Sequence, residues 1–185
     1  MGFWTTTGAD SKDPKRNFRF KVEFGGIQDQ NDSIIWWAKK VGKPNFTVTE
    51  AKHAYLNHTF YWPGRVEWQT INMTLVDPVS PNATSNILKL IEAAGYTIPG
   101  SSSDLGSFSK KKFADEIATL IITQIDSGGA KVEQWTLHNP FIKSAKFGEL
   151  DYENDDLTTI ELEIRYDWGE YEGDVATDKY FSTQG

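Results

Sequence analysis

Leu157-Thr-Thr-Ile-Glu-Leu-Glu-Ile-Arg-Tyr-Asp-Trp168 alternates without interruption. Ile160, Leu162, Ile164, Tyr166 and Trp168 fall on one side of an extended chain, and Thr159, Glu161, Glu163, Arg165 and Asp167 fall on the other. Successive strand side chains point to opposite faces, so this pattern is a strand with one dry face and one wet one.

The same period returns upstream. Phe18, Phe20, Val22 and Phe24 alternate with Arg19, Lys21 and Glu23. Gly25 to Ser33 reads as a loop, Ile34 to Val41 as a second strand, and Gly42 with Pro44 as a break before Asn45 to Ala51. From Val66 to Val76, Ile71, Met73 and Leu75 oppose Thr70, Asn72 and Thr74. Between these, His53 to Gly64 is aromatic without a clean period and reads as an irregular loop that packs outside its own strand. One helix is expected over 81–94: Ser80 caps it, Pro81 takes the first helical position, Ile87, Leu88, Leu90, Ile91 and Ala94 recur at helical spacing, and Gly95 ends it. Residues 96–108, with Pro99, Gly100 and Ser101 to Ser103, read as a flexible loop, and Lys110 to Ile117 has the length of a short helix. Ala118 to Ile125 and Ala130 to Leu137 form a hairpin around Asp126-Ser-Gly-Gly129. Ile142 to Leu150 is extended and the acidic turn Asp151 to Asp156 follows. The expected fold is mainly β, an antiparallel barrel or sandwich with one inserted α-helix. Its expected extent is residues 17–168, with an N-terminal arm 1–16 and a polar C-terminal extension 169–185.

Composition narrows the function. The 185 residues suit one domain, and the net charge of -7, with no Lys or Arg run beyond Lys110 to Lys112, disfavours groove-reading of DNA by a basic face. Cysteine is absent, which removes disulfides, thiolate metal sites and thiol nucleophiles. Met1 to Asp10 has no basic and apolar leader, and no long apolar run occurs, so a soluble product assembled in a cytoplasm is expected. On that basis the Asn-x-Thr triplets at Asn45, Asn57, Asn72 and Asn82 read as ordinary strand and turn residues and not glycan acceptors. Seven Trp and 14% aromatic content are high for so polar a chain and suit half-buried strand faces and subunit interfaces.

Chemistry has little to stand on. His53, His58 and His138 lack helical i, i+4 spacing for metal ligation. Asp151, Glu153, Asp155 and Asp156 approach calcium-loop spacing, but Asp156 stands where glycine is required and Leu162 where a glutamate is. Glu161 and Glu163 share a face as acids of any solvated strand do, and neither a phosphate loop nor a Gly-x-Ser-x-Gly elbow occurs. No catalytic residue, metal or cofactor is expected.

Element order brings a resemblance into view. A strand of alternating Phe and Val, an aromatic segment, a strand ending in Asp77-Pro78, a helix and a hairpin lead to Trp135-Thr-Leu-His-Asn-Pro-Phe141. Phe147-Gly-Glu-Leu-Asp-Tyr152 and Ile160-Glu-Leu-Glu-Ile-Arg-Tyr-Asp-Trp168 close the set. Over about Asn17 to Trp168 the chain resembles the T4-like contractile phage tail tube protein family, most clearly at its end. The resemblance implies a non-enzymatic virion protein, a tail tube subunit that self-assembles into stacked hexameric rings around a channel for DNA ejection, inside a contractile sheath. The resemblance also implies assembly in the host cytoplasm. The implied partners are further copies of itself, the sheath, baseplate and terminator proteins, and DNA that passes without specific binding, with no membrane. Tyr55, Phe60, Tyr61 and Trp62 are the expected contacts between subunits or rings. Glu133, Glu161, Glu163 and Asp167 are the expected lining of the lumen, where acids would let DNA slide. Two other readings remain. One is a tube-initiator or baseplate ring, or the inner tube of a related injection system. The other is a carbohydrate-binding sandwich using Trp36, Trp37 or Trp62 as stacking platforms.

Overall fold

The computed structural model describes residues 15–25, 38–80, 82–97, 99–100, 106–153, 155–173 and 179–180. Their elements are β1 (Phe20–Phe24), β2 (Ala38–Val41), β3 (Phe46–Tyr55), β4 (His58–Trp68), β5 (Ile71–Val76), α1 (Ala83–Ala93), α2 (Lys110–Glu116), β6 (Thr119–Ile125), β7 (Lys131–His138), β8 (Phe141–Lys146), β9 (Thr159–Arg165), β10 (Trp168–Gly173) and β11 (Lys179–Tyr180). Strands β1-β6-β7-β10-β11 make one antiparallel sheet and β2-β5-β9-β8 a second, while among the described residues β3 and β4 pair only with each other. The mainly antiparallel β architecture is as the alternation dictates, and a helix forms both within 81–94 and at the short segment from Lys110.

The two sheets close on one core. In the second sheet Ile71, Met73 and Leu75 face across to Ile164, Leu162 and Ile160, each at 2% exposure or less. From the first sheet Val22, Leu120, Ile122 and Leu137 meet them. Burying an aliphatic side chain of this size contributes about 1.5–3 kcal/mol, so β5 and β9 hold the fold at its centre. A smaller cluster of Ala94, Phe113 and Ile117 seats the helices against Phe24 and Phe141.

The stretch Leu157 to Trp168 spans both sheets. Its dry face holds from Ile160 through Tyr166, and then the chain turns at Asp167, whose N–H donates to the His138 carbonyl at 3.1 Å. Trp168 therefore belongs to β10, pairs with His138 and is half exposed, instead of continuing the core row. Gly169 to Gly173 likewise sits inside the first sheet between β7 and β11, where the sequence suggests only a polar extension. Its polarity reflects Glu170 and Glu172 on a wet strand face. The chain also crosses between sheets at Asn139-Pro140, between β7 and β8, where Asn139 takes a φ of 52°. Asp167 joins the two crossings: it accepts from Asn139 Nδ2 at 2.9 Å and from Lys110 Nζ at 2.7 Å.

Other boundaries shift for local reasons. Asn82, not Ser80, caps α1, accepting from Ser85 N–H at 2.8 Å. Asp77 reaches over from the end of β5 to accept from Ala83 and Thr84 N–H and from the Thr84 hydroxyl. Pro81, Trp36, Trp37 and Ser101 to Ser103 lie outside the described residues. The run Val66 to Val76 is two strands, because the chain leaves β4 at Gln69, whose N–H donates to the Asn45 carbonyl, before β5 begins.

Candidate functional site: the assembly surfaces

The largest departure from expectation is residues 53–64. They are not an irregular loop but most of the hairpin β3–β4, turned at Leu56 with a φ of 52°. Nearly every residue of this arm is exposed on both faces. With no face turned to the core, there was no dry row to read, and so the period of two was hidden.

The register reveals a reversal. Phe46 faces Trp68 and Val48 faces Val66, but the next pairs are Glu50 with Pro63 and Ala51 with Trp62. Strand β4 thus advances one residue more than β3, and Gly64 and Arg65 together oppose Thr49, a β-bulge. The Thr49 hydroxyl accepts from Arg65 N–H at 2.8 Å, and a Cβ at Gly64 would lie 2.9 Å from the Thr49 carbonyl oxygen. Because cross-strand partners share a face, the apolar side switches at the bulge. Near the root, Phe46, Val48, Val66 and Trp68 share one face. Towards the tip, Trp62 with Ala51, Phe60 with His53, and His58 with Tyr55 share the opposite one.

The four expected contact residues are consequently divided. Tyr55, Phe60 and Trp62 lie together, with the His53 ring edge-on to Trp62 at 6.1 Å and Phe60 6.2 Å from it. Tyr61 is on the other face, where Lys52 Nζ lies 5.7 Å from its ring centre. Phe46, Val48 and Val66 are exposed members that sequence reasoning passed over. The arm's root is fixed to the body, since Trp68 packs on Tyr166 at 5.9 Å.

The expected lumen acids are also separated. Glu133 is buried and binds both Lys15 and Lys43, while Lys43 also donates to Gln124 Oε1 at 2.9 Å. Burial opposes its ionisation, but the two lysines outweigh that and hold the carboxyl below its ordinary range. Asp167 is the pin of the sheet crossings, between β9 and β10, bonded to Lys110 and Asn139. Burial raises its pKa, and Lys110 and Asn139 together more than reverse this. Glu161 and Glu163 do share the outer face of the second sheet, in a shallow groove with Lys40, Asn72, Thr74, Ser144 and Lys146. They are not an unpaired acidic wall. Lys143 pairs with Glu163 at 2.7 Å and Lys146 with Glu161 at 3.7 Å, and the Lys143 and Thr70 hydrogen bonds lower the Glu163 pKa.

His138 lies 3.3 Å from Glu170 and stacks on Trp168 at 4.9 Å, while His53 and His58 are on the arm. Among the described residues no group of three His, Asp or Glu side chains is placed to hold a metal ion. Among the described residues no helix is long and apolar enough to cross a membrane.

The chain is a two-sheet body with a hairpin arm whose strands join neither sheet among the described residues. No protein-family model and no curated protein sequence matches it. Solved structures do match its fold. The sheath/tube terminator of an extracellular contractile injection system, PVC, aligns with a TM-score of 0.64 at 16% identity over 88% of this chain and 99% of that one. The six-fold symmetrised anti-feeding prophage baseplate gives 0.61 at 13%, covering 90% and 99%. The anti-feeding prophage tube-terminating cap gives 0.60 at 16%, covering 88% and 93%. At such identities the likeness is one of fold.

Proposed function

We propose that this chain is the repeating tube subunit of a contractile tail, forming stacked hexameric rings around a channel that passes DNA into a host cell. The observation that carries this reading is the arm. A two-stranded hairpin cannot form an independent core, and this one exposes aromatic residues on one face near its tip and apolar residues on the other near its root. Such an element gains a core only between other molecules, and in a homomeric ring those are further copies of the chain. The edges of the second sheet among the described residues, β2 and β8, are the natural sites for subunits to join edge to edge.

In this arrangement the outer face carrying Glu161 and Glu163 lines the channel. Its paired charges offer passing phosphates little net attraction, which suits a conduit as well as an acidic wall would. A sheath outside, and baseplate and terminator rings at the ends, complete the set of partners, and assembly takes place in the host cytoplasm. A second reading keeps the fold and changes the place, an initiator or terminator ring, and it draws support from the baseplate and terminator structures among the matches.

Negative-stain electron microscopy of the purified protein tests the proposal. Hollow rods or stacked rings are expected, with a nucleating baseplate if required. A strictly monomeric particle at high concentration with baseplate present would refute it. Copy number separates the two readings, many rings per particle for a tube subunit and one for an initiator or terminator.

A further inference from the structure

Two surfaces of opposite sign carry charged side chains that form no ion pair among the described residues. Between β8 and β9, Glu149, Asp151, Glu153 and Asp155 form no ion pair among the described residues. By contrast Glu133, Glu161, Glu163, Asp167 and Glu172 are each paired with a lysine within the chain. The same loop exposes Leu150 at 90% and Leu157 at 69%, with Tyr152 fully exposed and Phe147 partly so. A turn that only needs solvation has no use for four large apolar side chains among its acids. Apolar anchors set among charges are the composition of a docking surface.

The complement lies on the helices. Lys110 is held by Asp167, but Lys111 and Lys112 form no ion pair among the described residues. Lys112 lies over Gly95, and beside it Tyr96 and Phe108 stack at 5.6 Å while 45% and 54% exposed. Asp115 and Glu116 close the same helix a turn later. Lysines in a first turn oppose the helix dipole, so these do not stabilise their own helix.

Strand β8 connects the two surfaces. Its first residue, Phe141, packs 6.1 Å from Phe113 of α2, and its last, Lys146, leads into the acidic loop. Six residues of strand span about 20 Å, so a basic aromatic surface and an acidic apolar one stand at opposite ends of one sheet edge. Complementary surfaces at opposite ends of a single chain make a head-to-tail contact that repeats from copy to copy.

We propose that the β8–β9 loop of one copy docks on the Lys111, Lys112, Tyr96 and Phe108 face of a second copy, forming the axial contact from ring to ring. The proposal rests on the tube reading above and names the partner surface for it. Charge exchange tests it. Lys111→Glu with Lys112→Glu, and separately Glu149→Lys with Asp151→Lys, are expected to reduce sedimentable rods at least about tenfold, since like charges set against each other repel strongly. The chain carrying all four changes restores opposite signs and is expected to recover rods to within about threefold of the unmodified protein. Melting curves of the soluble fractions check that each variant is folded. Rods of normal yield from both paired variants, or no recovery in the folded fourfold variant, would overturn the contact while leaving the tube reading intact. Failure of the unmodified protein to form rods would overturn both.

Discussion

At Glu133, one carboxylate ties Lys15 and Lys43 to the inner side of β7. Replacing it with Gln keeps the volume and removes both ion pairs, at an expected cost of about 1–2 kcal/mol near neutral pH because hydrogen bonds to charged groups are lost in a buried place. The sign of the pH dependence follows from the depressed pKa. Above the ordinary value of 4.5 the group is charged whether folded or not, and its stabilisation is fully present. As pH falls below that value the unfolded chain takes up the proton first, and stability is lost until the folded chain is protonated too. Thermal melts from about pH 7 to about pH 3 should therefore show the unmodified protein losing its advantage over Glu133→Gln in the acid range. Parallel curves for the two would contradict the pairing. Sequence placed Glu133 on a wet strand face because acids are rarely buried. Its partners are 118 and 90 residues away, and no local pattern announces a pair at such separation. Ile160, Leu162 and Ile164 were legible for the opposite reason, since their burial is fixed by a period of two within one strand.

The same contrast holds at the scale of elements. Strands β1, β6, β7 and β9 could be read from the chain because each has one face in the core. The arm has none, so its strands were invisible while its aromatic composition was plain. Gly64, at the end of the segment read as an irregular loop, is the residue that lets β4 approach Thr49 and turns the arm's apolar face over. Gly64→Ala places a methyl against the Thr49 carbonyl and should expel the bulge, returning Phe60 and Trp62 to the face of Val66. Because the arm is exposed throughout, the unfolding free energy of the body should change by no more than about 0.5 kcal/mol, as for other surface substitutions. Rod formation, in contrast, should be abolished. Rods of normal yield and diameter from a folded Gly64→Ala protein would show that the face switch has no part in assembly.

For the whole molecule, the division between a closed body and an unsupported arm sets an order of local stabilities. Amides of β5 and β9 are bonded between strands whose inward side chains are almost completely buried, so they open only with the whole fold. Those of β3 and β4 are bonded as regularly, but no core covers them, and a lone hairpin is marginal in water. Hydrogen exchange on the monomer should then find the arm fast and β5 and β9 slowest, although both are well-paired antiparallel strands. Assembly changes what covers the arm and not its internal hydrogen bonds. In rods the arm should slow by at least about tenfold, the factor that roughly 1.4 kcal/mol of new contact provides. The free edge of β8 should slow with it as a neighbouring subunit supplies the missing strand. The central strands, already limited by global unfolding, have less to gain. Slowing confined to β8 would leave the arm outside the interface and place ring closure on the sheet edge alone. An arm that gains protection while β8 does not would make the hairpin the joint between copies, and the edge strand would remain open to solvent or to the sheath.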